Sequence, residues 1–300
     1  MPLTPKVRIG LGSIAPGADL AEFVDACEAR GVDSIWLADQ ASGPGIDPLV
    51  GLAYAAGRTT NLKLGTGVLV LPGRNPMLVA AQLASLVALA PRRILPTFGV
   101  RPATQRERDL FPVPDGERAA VFDESLVVLR RLLTEPKVTH HGRFFHLDGA
   151  SVGPLPPRPP DLWLGGRAPA GLRRIGRFAD GWLGSFVTPE EAARCREGIE
   201  RAAAEAGREI EDDHYGTNIV VVPEGVTPAE RDTALTTLGR RRPELDARAL
   251  VADGWAAARE QVRRFVDVGL SKFVLRPAVP VPAWRGFLDR FDEEIAPLQT

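Results

Sequence analysis

The chain has 300 residues, 44% of them apolar, and a formal net charge of -1 with acidic and basic residues almost balanced. This length and apolar content predict one large barrel domain or two smaller domains. The balanced charge excludes a general electrostatic field for nucleic acid or for an anionic membrane. We therefore expect a small-molecule partner.

The two cysteines and the N-terminus indicate the compartment. Cys27 and Cys195 lie far apart in helical patterns, which argues against a disulfide framework and against a cysteine-based metal site. The N-terminus lacks the basic segment and apolar run of a signal peptide, and the chain has no apolar stretch long enough for a membrane span. We expect a soluble, cytoplasmic protein and leave a homodimer open as its assembly.

Short β-branched runs alternate along the chain with longer helical patterns, which is typical of parallel βα units. The runs predict eight strands, at residues 7–11, 34–37, 63–70, 93–98, 161–164, 181–183, 217–222 and 272–275. Eight such units in 300 residues favour an α/β fold in which one (β/α)₈ TIM barrel spans residues 1–300. A doubly wound open sheet is the alternative.

Three helices have recognisable start signals. Asn75, Thr188 and Thr227 each precede a proline, as expected of an N-cap followed by proline at the first helical position. Glu191 and Glu230 stand three residues after the two threonines, which predicts two capping boxes.

Three segments do not fit one strand and one helix per unit. Residues 99–116 are rich in Arg, Pro and Asp and predict a long loop after the fourth strand. Residues 137–160 predict a small β insertion before strand five, outside the barrel. Residues 223–254 predict a second, irregular insertion that contains three consecutive arginines at 240–242.

In a parallel barrel the active site lies where the strands end and the βα loops begin. The residues at these positions are Gly12, Ser13, Asp39, Gln40, Gly67, Val68, Leu69, Phe98, Gly99, Val100, Arg101, Gly165, Gly166, Arg167, Gly184, Ser185 and Arg276. None of the four histidines is among them, and the chain has no nucleophile elbow, HExxH motif or metal-ligand spacing. We therefore expect no metal, and a pocket suited to a cofactor that carries the reactive atom itself.

The segment from the fifth predicted strand into the next helix is the most specific local feature. Its strand ends in Gly165-Gly166, and a helix begins near Ala168 or Pro169. Backbone N–H groups of such a turn, together with a helix N-terminus, form an anion site, and Arg167 could add a positive charge. The alternative is that the glycines only make a tight turn.

Gly67 interrupts an otherwise β-branched strand. An interior glycine of this kind often marks a bulge or a close approach of the backbone to a ligand. Simple tight packing of a small residue is the alternative.

The chain resembles the luciferase-like superfamily of flavin- and deazaflavin-dependent oxidoreductases. The resemblance rests on GVDSIWLADQ, on DPLVGLAYAAGRTTNLKLGTGVLVLPGRNPMLVAAQLASL, on EPKVTHHGRFFHLDGASVGPLPPRPPDLWLGG and on FADGW, in this order. It implies a barrel with the flavin or deazaflavin ring in its mouth. It also implies a non-prolyl cis peptide at the bond matching Gly67–Val68, and a cofactor phosphate at Gly165 and Gly166.

The chain departs from this family at two places. Members often have Asp-His after strand two, where the His is catalytic in some deazaflavin-dependent sugar phosphate dehydrogenases, whereas this chain has Asp39-Gln40. Glutamine forms hydrogen bonds but does not move a proton at neutral pH. The carboxylate that serves as acid in the sugar phosphate enzymes matches Pro102, so the resemblance argues against that activity.

The sequence is compatible with three functions. The first is an oxidoreductase that uses the deazaflavin coenzyme F420 for hydride transfer to or from an unidentified small organic substrate. An Ala-, Arg- and Pro-rich composition, typical of actinobacterial proteins, favours F420 over FMN. The second is a reduced-FMN-dependent monooxygenase, and the third is a degenerate member that binds a cofactor without catalysis.

Each candidate site residue has an expected role. Asp39 and Gln40 orient the substrate or the ring edge, although a carboxylate at Asp39 could instead cap the following loop. Val68 and Leu69 brace the ring, and Phe98 forms an apolar wall, while Gly67 and Gly99 are further candidates for cofactor binding. Arg101, with Arg106 and Arg108, grips an acidic coenzyme tail or is simply solvated surface.

Overall fold

The computed structural model describes residues 6–13, 19–43, 45–102, 105–281 and 283–300. In these ranges the strands are β1 (Arg8–Ser13), β2 (Ser34–Leu37), β3 (Lys63–Thr66), β4 (Leu69–Val70), β5 (Ile94–Leu95), β6 (Thr97–Gly99), β7 (Val138–His141), β8 (His146–Ala150), β9 (Trp163–Gly165), β10 (Gly181–Gly184), β11 (Tyr215–Val222), β12 (Val251–Asp253) and β13 (Lys272–Pro277). The α-helices of the same ranges are α1 (Leu20–Ala29), α2 (Pro48–Arg58), α3 (Pro76–Leu89), α4 (Arg118–Thr134), α5 (Pro169–Phe178), α6 (Pro189–Glu205), α7 (Pro228–Gly239), α8 (Trp255–Asp267) and α9 (Trp284–Glu294).

The main sheet closes on itself. β3 and β4 are pieces of one stretch separated by Gly67 and Val68, and β5 and β6 are pieces of another separated by Pro96. β3 pairs with β5 and β4 pairs with β6, while the path runs from β6 through β9, β10, β11, β13, β1 and β2 back to β3. When each interrupted stretch is counted once, the described residues form eight parallel barrel positions. The predicted (β/α)₈ barrel is confirmed, and each predicted strand is observed with its ends displaced by at most two residues.

Polar caps begin three helices where the sequence predicts them. The side chain of Asn75 accepts hydrogen bonds from the N–H groups of Met77 and Leu78 at the start of α3. Thr188 and Glu191 form a capping box at α6, and Thr227 and Glu230 form one at α7. These caps satisfy backbone amides that a helix leaves without partners and so fix where each helix begins.

Apolar side chains pack on both sides of the sheet. The largest buried cluster lies between the strands and the helices. A second cluster fills the barrel interior and contains Trp36, Trp163, Leu183 and Val274. Neighbouring glycines make room for the indoles, since a Cβ added at Gly65 would lie 2.5 Å from the Trp36 ring. Because the centre is packed, a ligand has to bind above it, at the carboxyl ends of the strands.

The β insertion before the fifth barrel strand is confirmed. β7 and β8 form a separate antiparallel pair, in which His141 lies opposite His146. Among the described residues, this pair has no ladder to the barrel sheet.

The second insertion is more regular than the sequence predicts. Besides α7, residues 223–254 contain a 3₁₀ turn (Ala247–Ala249) and β12, which pairs in parallel with the outer end of β11. Val251 and Leu250 pack against Val220 and Val222 in a small apolar cluster. The prediction of an irregular segment was wrong here, because a three-residue strand has too little period to be recognised.

The long loop after the fourth barrel position is also observed, between β6 and α4, and it contains a 3₁₀ turn (Gln105–Leu110). Cys27 and Cys195 are buried free thiols. None of the helices in the described ranges has the length and hydropathy needed to cross a membrane.

Candidate functional site

The barrel mouth is shaped by a break in the third barrel strand. The peptide bond between Gly67 and Val68 is cis, as the family resemblance implies. The Val68 side chain lies in the mouth, where it covers Gly99 of β6 and Gly165 of β9. A Cβ added at Gly99 would lie 2.5 Å from Val68 Cγ2, and one added at Gly165 would lie 3.2 Å from Cγ1. Gly99 and Gly165 therefore leave the space that Val68 occupies.

Asp39 holds this break in place. Its backbone N–H donates to Val68 O at 3.2 Å, and its carboxylate accepts from Val70 N at 3.0 Å and from Arg74 Nη2 at 2.9 Å. Burial raises the pKa of Asp39, while Arg74 and the Val70 N–H oppose that rise. The carboxylate is thus occupied in fixing the strand beside the mouth, which is closer to the loop-capping alternative than to a free catalytic acid.

Gln40 lies next to Asp39 and is half-buried. Both residues line a pocket of about 420 Å³ together with Asp47, Arg74 and Phe111. Gln40 Oε1 lies 2.9 Å from the position of a Cβ added at Gly43, so the side chain folds back over its own loop.

The Gly165–Arg167 turn has the features of an anion site. Gly166 is exposed, has a φ of +133° and has open space around its Cα. Its carbonyl accepts a hydrogen bond of 2.7 Å from Trp182 Nε1. Because a trans peptide is planar, the N–H of Arg167 points the opposite way from that carbonyl, away from Trp182. The N-cap of α5, Ala168, has no side-chain hydrogen bond, so no cap competes for the first amides of that helix.

Two predicted residues do not line the mouth. Phe98 and Leu69 have no exposed surface and belong to the cluster between the sheet and the helices. The structure therefore brings Gly67, Val68, Gly99 and the Gly165–Arg167 turn to the mouth and leaves these two side chains outside it.

Three arginines gather in and beside the loop after β6. Burial lowers the pKa of Arg118, and the positive charges of Arg101 and Arg108 lower it further. The charges of the three arginines therefore lie close together. Among the described residues, none of the three forms an ion pair with a carboxylate. Arg118 donates from Nη2 to Phe111 O at 2.8 Å, and its buried Nη1 has no partner.

Two further residues lie in the mouth, and neither has a role predicted from the sequence. Arg276 lies near the end of β13, and its side chain passes over Gly12, where an added Cβ would lie 2.7 Å from Arg276 Cγ. Asn218 of β11 donates from Nδ2 to Gly184 O and Ser185 Oγ. The alternation of inward and outward residues along these two strands could have pointed to both.

One group of side chains with metal-ligating atoms occurs in the described residues. Glu211, Asp213 and His214 lie just before β11, at the opposite end of the barrel from the mouth. Asp213 is paired with Arg8, and His214 Nδ1 is 2.7 Å from Asp180 O, so both serve structural contacts.

The chain is similar in sequence to a known protein family and to an uncharacterised relative. Residues 3–274 match the family model described as luciferase-like monooxygenase. An uncharacterised protein of Mycobacterium tuberculosis is 35% identical over 165 residues, which are 55% of this chain and 57% of that relative. The match thus spans little more than half of the relative's length.

Two further proteins are similar over their whole length. An F420-dependent glucose-6-phosphate dehydrogenase of Kineococcus radiotolerans is 24% identical over 99% of this chain and 97% of its own. The solved structure of an F420-dependent secondary alcohol dehydrogenase with an F420–acetone adduct superimposes with a TM-score of 0.84, at 20% identity, over 98% of this chain and 100% of the other. At this identity the superposition shows a common fold.

Proposed function

Because the chain belongs to the luciferase-like monooxygenase family, we propose that it is an enzyme that uses coenzyme F420 to transfer a hydride to or from a small organic substrate. The observation that carries the proposal is the placement of the Val68 side chain in the mouth, above Gly99 and Gly165. An apolar surface of this kind, beside two glycines, supports the face of a planar ring. The full-length similarity to an F420-dependent dehydrogenase supports the choice of coenzyme.

The residues of the mouth fit such a coenzyme. When bound, F420 supplies the hydride carrier, and the protein supplies binding and orientation. Val68 braces the ring, and Asp39 holds the strand that presents it. The Arg167 N–H and the first turn of α5 receive a phosphate. Arg101, Arg108 and Arg118 attract the acidic part of the coenzyme.

The substrate is not proposed to be a sugar phosphate. The family resemblance implies a histidine at the position of Gln40 and an acid at the position of Pro102 in related sugar phosphate enzymes, and this chain has neither. We assign Gln40 the role of orienting the substrate through hydrogen bonds, because its amide does not transfer protons at neutral pH. Membership of an enzyme family argues against a cofactor-binding protein without catalysis.

The second candidate is a reduced-FMN-dependent monooxygenase, which the description of the family favours. FMN would use the same ring support and the same phosphate turn. It lacks the extended acidic tail, so the three arginines distinguish the two candidates.

Fluorescence titration of the purified protein with F420 and with FMN, at matched ionic strength, tests the choice. We expect tighter binding of F420, with an advantage that shrinks as salt is added because exposed charges are screened. The double variant Arg101→Met/Arg108→Met should weaken F420 binding several-fold and leave FMN binding unchanged. FMN affinity equal to or above that of F420 would favour the monooxygenase.

A further inference from the structure

Arg276 points into the barrel. Residues of β13 alternate in direction, with Phe273 and Leu275 in the outer cluster and Val274 in the inner cluster. Arg276 has the same direction as Val274 and lies one layer nearer the mouth. Its Cγ, Cδ and Nε lie over Gly12 of β1, in space that any other residue at position 12 would fill.

This guanidinium has no protein partner in the described part of the chain. Neither an ion pair nor a hydrogen bond joins it to another described residue. The remaining residues, 1–5, 14–18, 44, 103–104 and 282, include no aspartate or glutamate. Burial lowers the pKa of Arg276, yet arginine stays charged in proteins. The side chain is half-buried, and a partly desolvated positive charge without a counter-ion is stabilised by a ligand that supplies the negative charge.

The mouth also contains an unused acceptor. Asn218 Oδ1 is buried and has no hydrogen-bond partner, whereas its Nδ2 is held by Gly184 O at 3.0 Å and Ser185 Oγ at 2.7 Å. Asn218 lies opposite Val274 in the β11–β13 ladder, one layer below Arg276. A half-buried guanidinium and a buried amide oxygen on neighbouring strands therefore lack protein partners. An unpaired buried acceptor is unusual in native proteins, and together the two groups indicate a polar ligand.

We propose that Arg276 anchors a carboxylate of the substrate, so that the organic substrate of the proposed function is a small carboxylic acid. The inference rests on that proposed function for the reaction, but the binding it requires is separate. A guanidinium presents parallel N–H groups that match a carboxylate in a bidentate pair. A single positive charge balances a monoanion, whereas a phosphate carries close to two negative charges. Asn218 Oδ1 would accept an N–H or O–H of the same ligand.

Calorimetric titration provides the test, on the protein both without coenzyme and loaded with F420. The probes are acetate, pyruvate, lactate and benzoate, the corresponding amides, and inorganic phosphate. We expect at least one carboxylate to bind tenfold or more tightly than its amide and more tightly than phosphate. Arg276→Met should abolish this preference, and Arg276→Lys, which keeps the charge but loses the bidentate geometry, should weaken it.

Two controls distinguish a specific role of Arg276 from a general effect of charge and from misfolding. Arg158→Met removes an exposed arginine at the opposite end of the barrel and should change nothing. Circular dichroism melts show whether the Arg276 variants fold. Equal binding of acids and amides, tighter binding of phosphate, or a preference that survives Arg276→Met would overturn the proposal, as would a loss confined to F420 affinity. Failure of F420 to bind wild-type protein contradicts the proposed function instead, because carboxylate binding is measured without coenzyme.

Discussion

Gly166 is the residue on which the proposed phosphate site depends most directly. Its φ of +133° is a conformation that side chains with a Cβ rarely adopt, although the space around it is open. Gly166→Val should therefore alter the turn and displace the Arg167 N–H, while the barrel still folds. Loss of one charge-assisted hydrogen bond costs about 1.5–3 kcal/mol, so cofactor affinity should fall at least tenfold.

Fluorescence titration with F420 measures this effect. Gly153→Val is the matched control, because Gly153 also has a positive φ, +98°, and open space, but lies in the loop after β8. Wild-type affinity in Gly166→Val would mean that the turn is only structural.

The residues of the third and fourth barrel strands show how far the site could be predicted from the sequence. Gly67, Val68, Gly99 and Gly165 could be identified because glycine and a break in a β-branched run are visible in the sequence. Val68 and Leu69 were both expected to brace the ring, yet adjacent strand residues face opposite sides and only Val68 points inward. By the same alternation, Gly99 faces the mouth and Phe98 faces the helices.

At the scale of elements, the end of α1 is tied to the loop before β3 by one carboxylate. Glu28 accepts hydrogen bonds from the N–H groups of Thr60, Asn61 and Leu62 and from the Thr60 hydroxyl, at 2.8–3.0 Å. Burial acts to raise its pKa, but these donors outweigh burial and hold the pKa at about 2. The native state therefore stabilises the ionised form.

This arrangement predicts a pH-dependent loss of stability. Because the folded pKa of Glu28 lies below its usual value of 4.5, its contribution is complete above about pH 4.5 and is lost as the pH falls towards 2. Glu28→Gln should lower the free energy of unfolding by about 1–2 kcal/mol at pH 7, allowing for solvent screening, and by less near pH 3. Urea unfolding at the two pH values measures these free energies. Glu22→Gln, which changes an exposed carboxylate of the same helix, is the control. A deficit independent of pH would contradict the assignment.

The elements themselves were the most predictable part of the fold. Eight β-branched runs, and capping residues such as Thr188 with Glu191, are local signals that tertiary packing here reinforces. β12 was missed because it is three residues long and gains its stability from β11 rather than from its own sequence. The roles of Arg276 and Asn218 depend on which groups remain without partners after folding, which sequence alone does not show.

For the whole molecule, closure of the barrel explains why the site is assembled from distant parts of the chain. β1 pairs with β13, so Gly12 and Arg276 become neighbours although they stand near opposite ends of the sequence. The packed interior below them blocks the centre, and the long loop with its arginines lies at the same end as the Gly165–Arg167 turn. One mouth thus contains the proposed ring support, the proposed phosphate site and the proposed substrate anchor.

The structure of the complex with F420 tests the central claim most directly. We expect the deazaflavin ring within van der Waals distance of Val68, about 3.5–4 Å, with a phosphate oxygen accepting the Arg167 N–H and the acidic tail directed to Arg101 and Arg108. A coenzyme bound outside the barrel mouth, or a ring resting on another wall with its phosphate away from the Gly165–Arg167 turn, would contradict it.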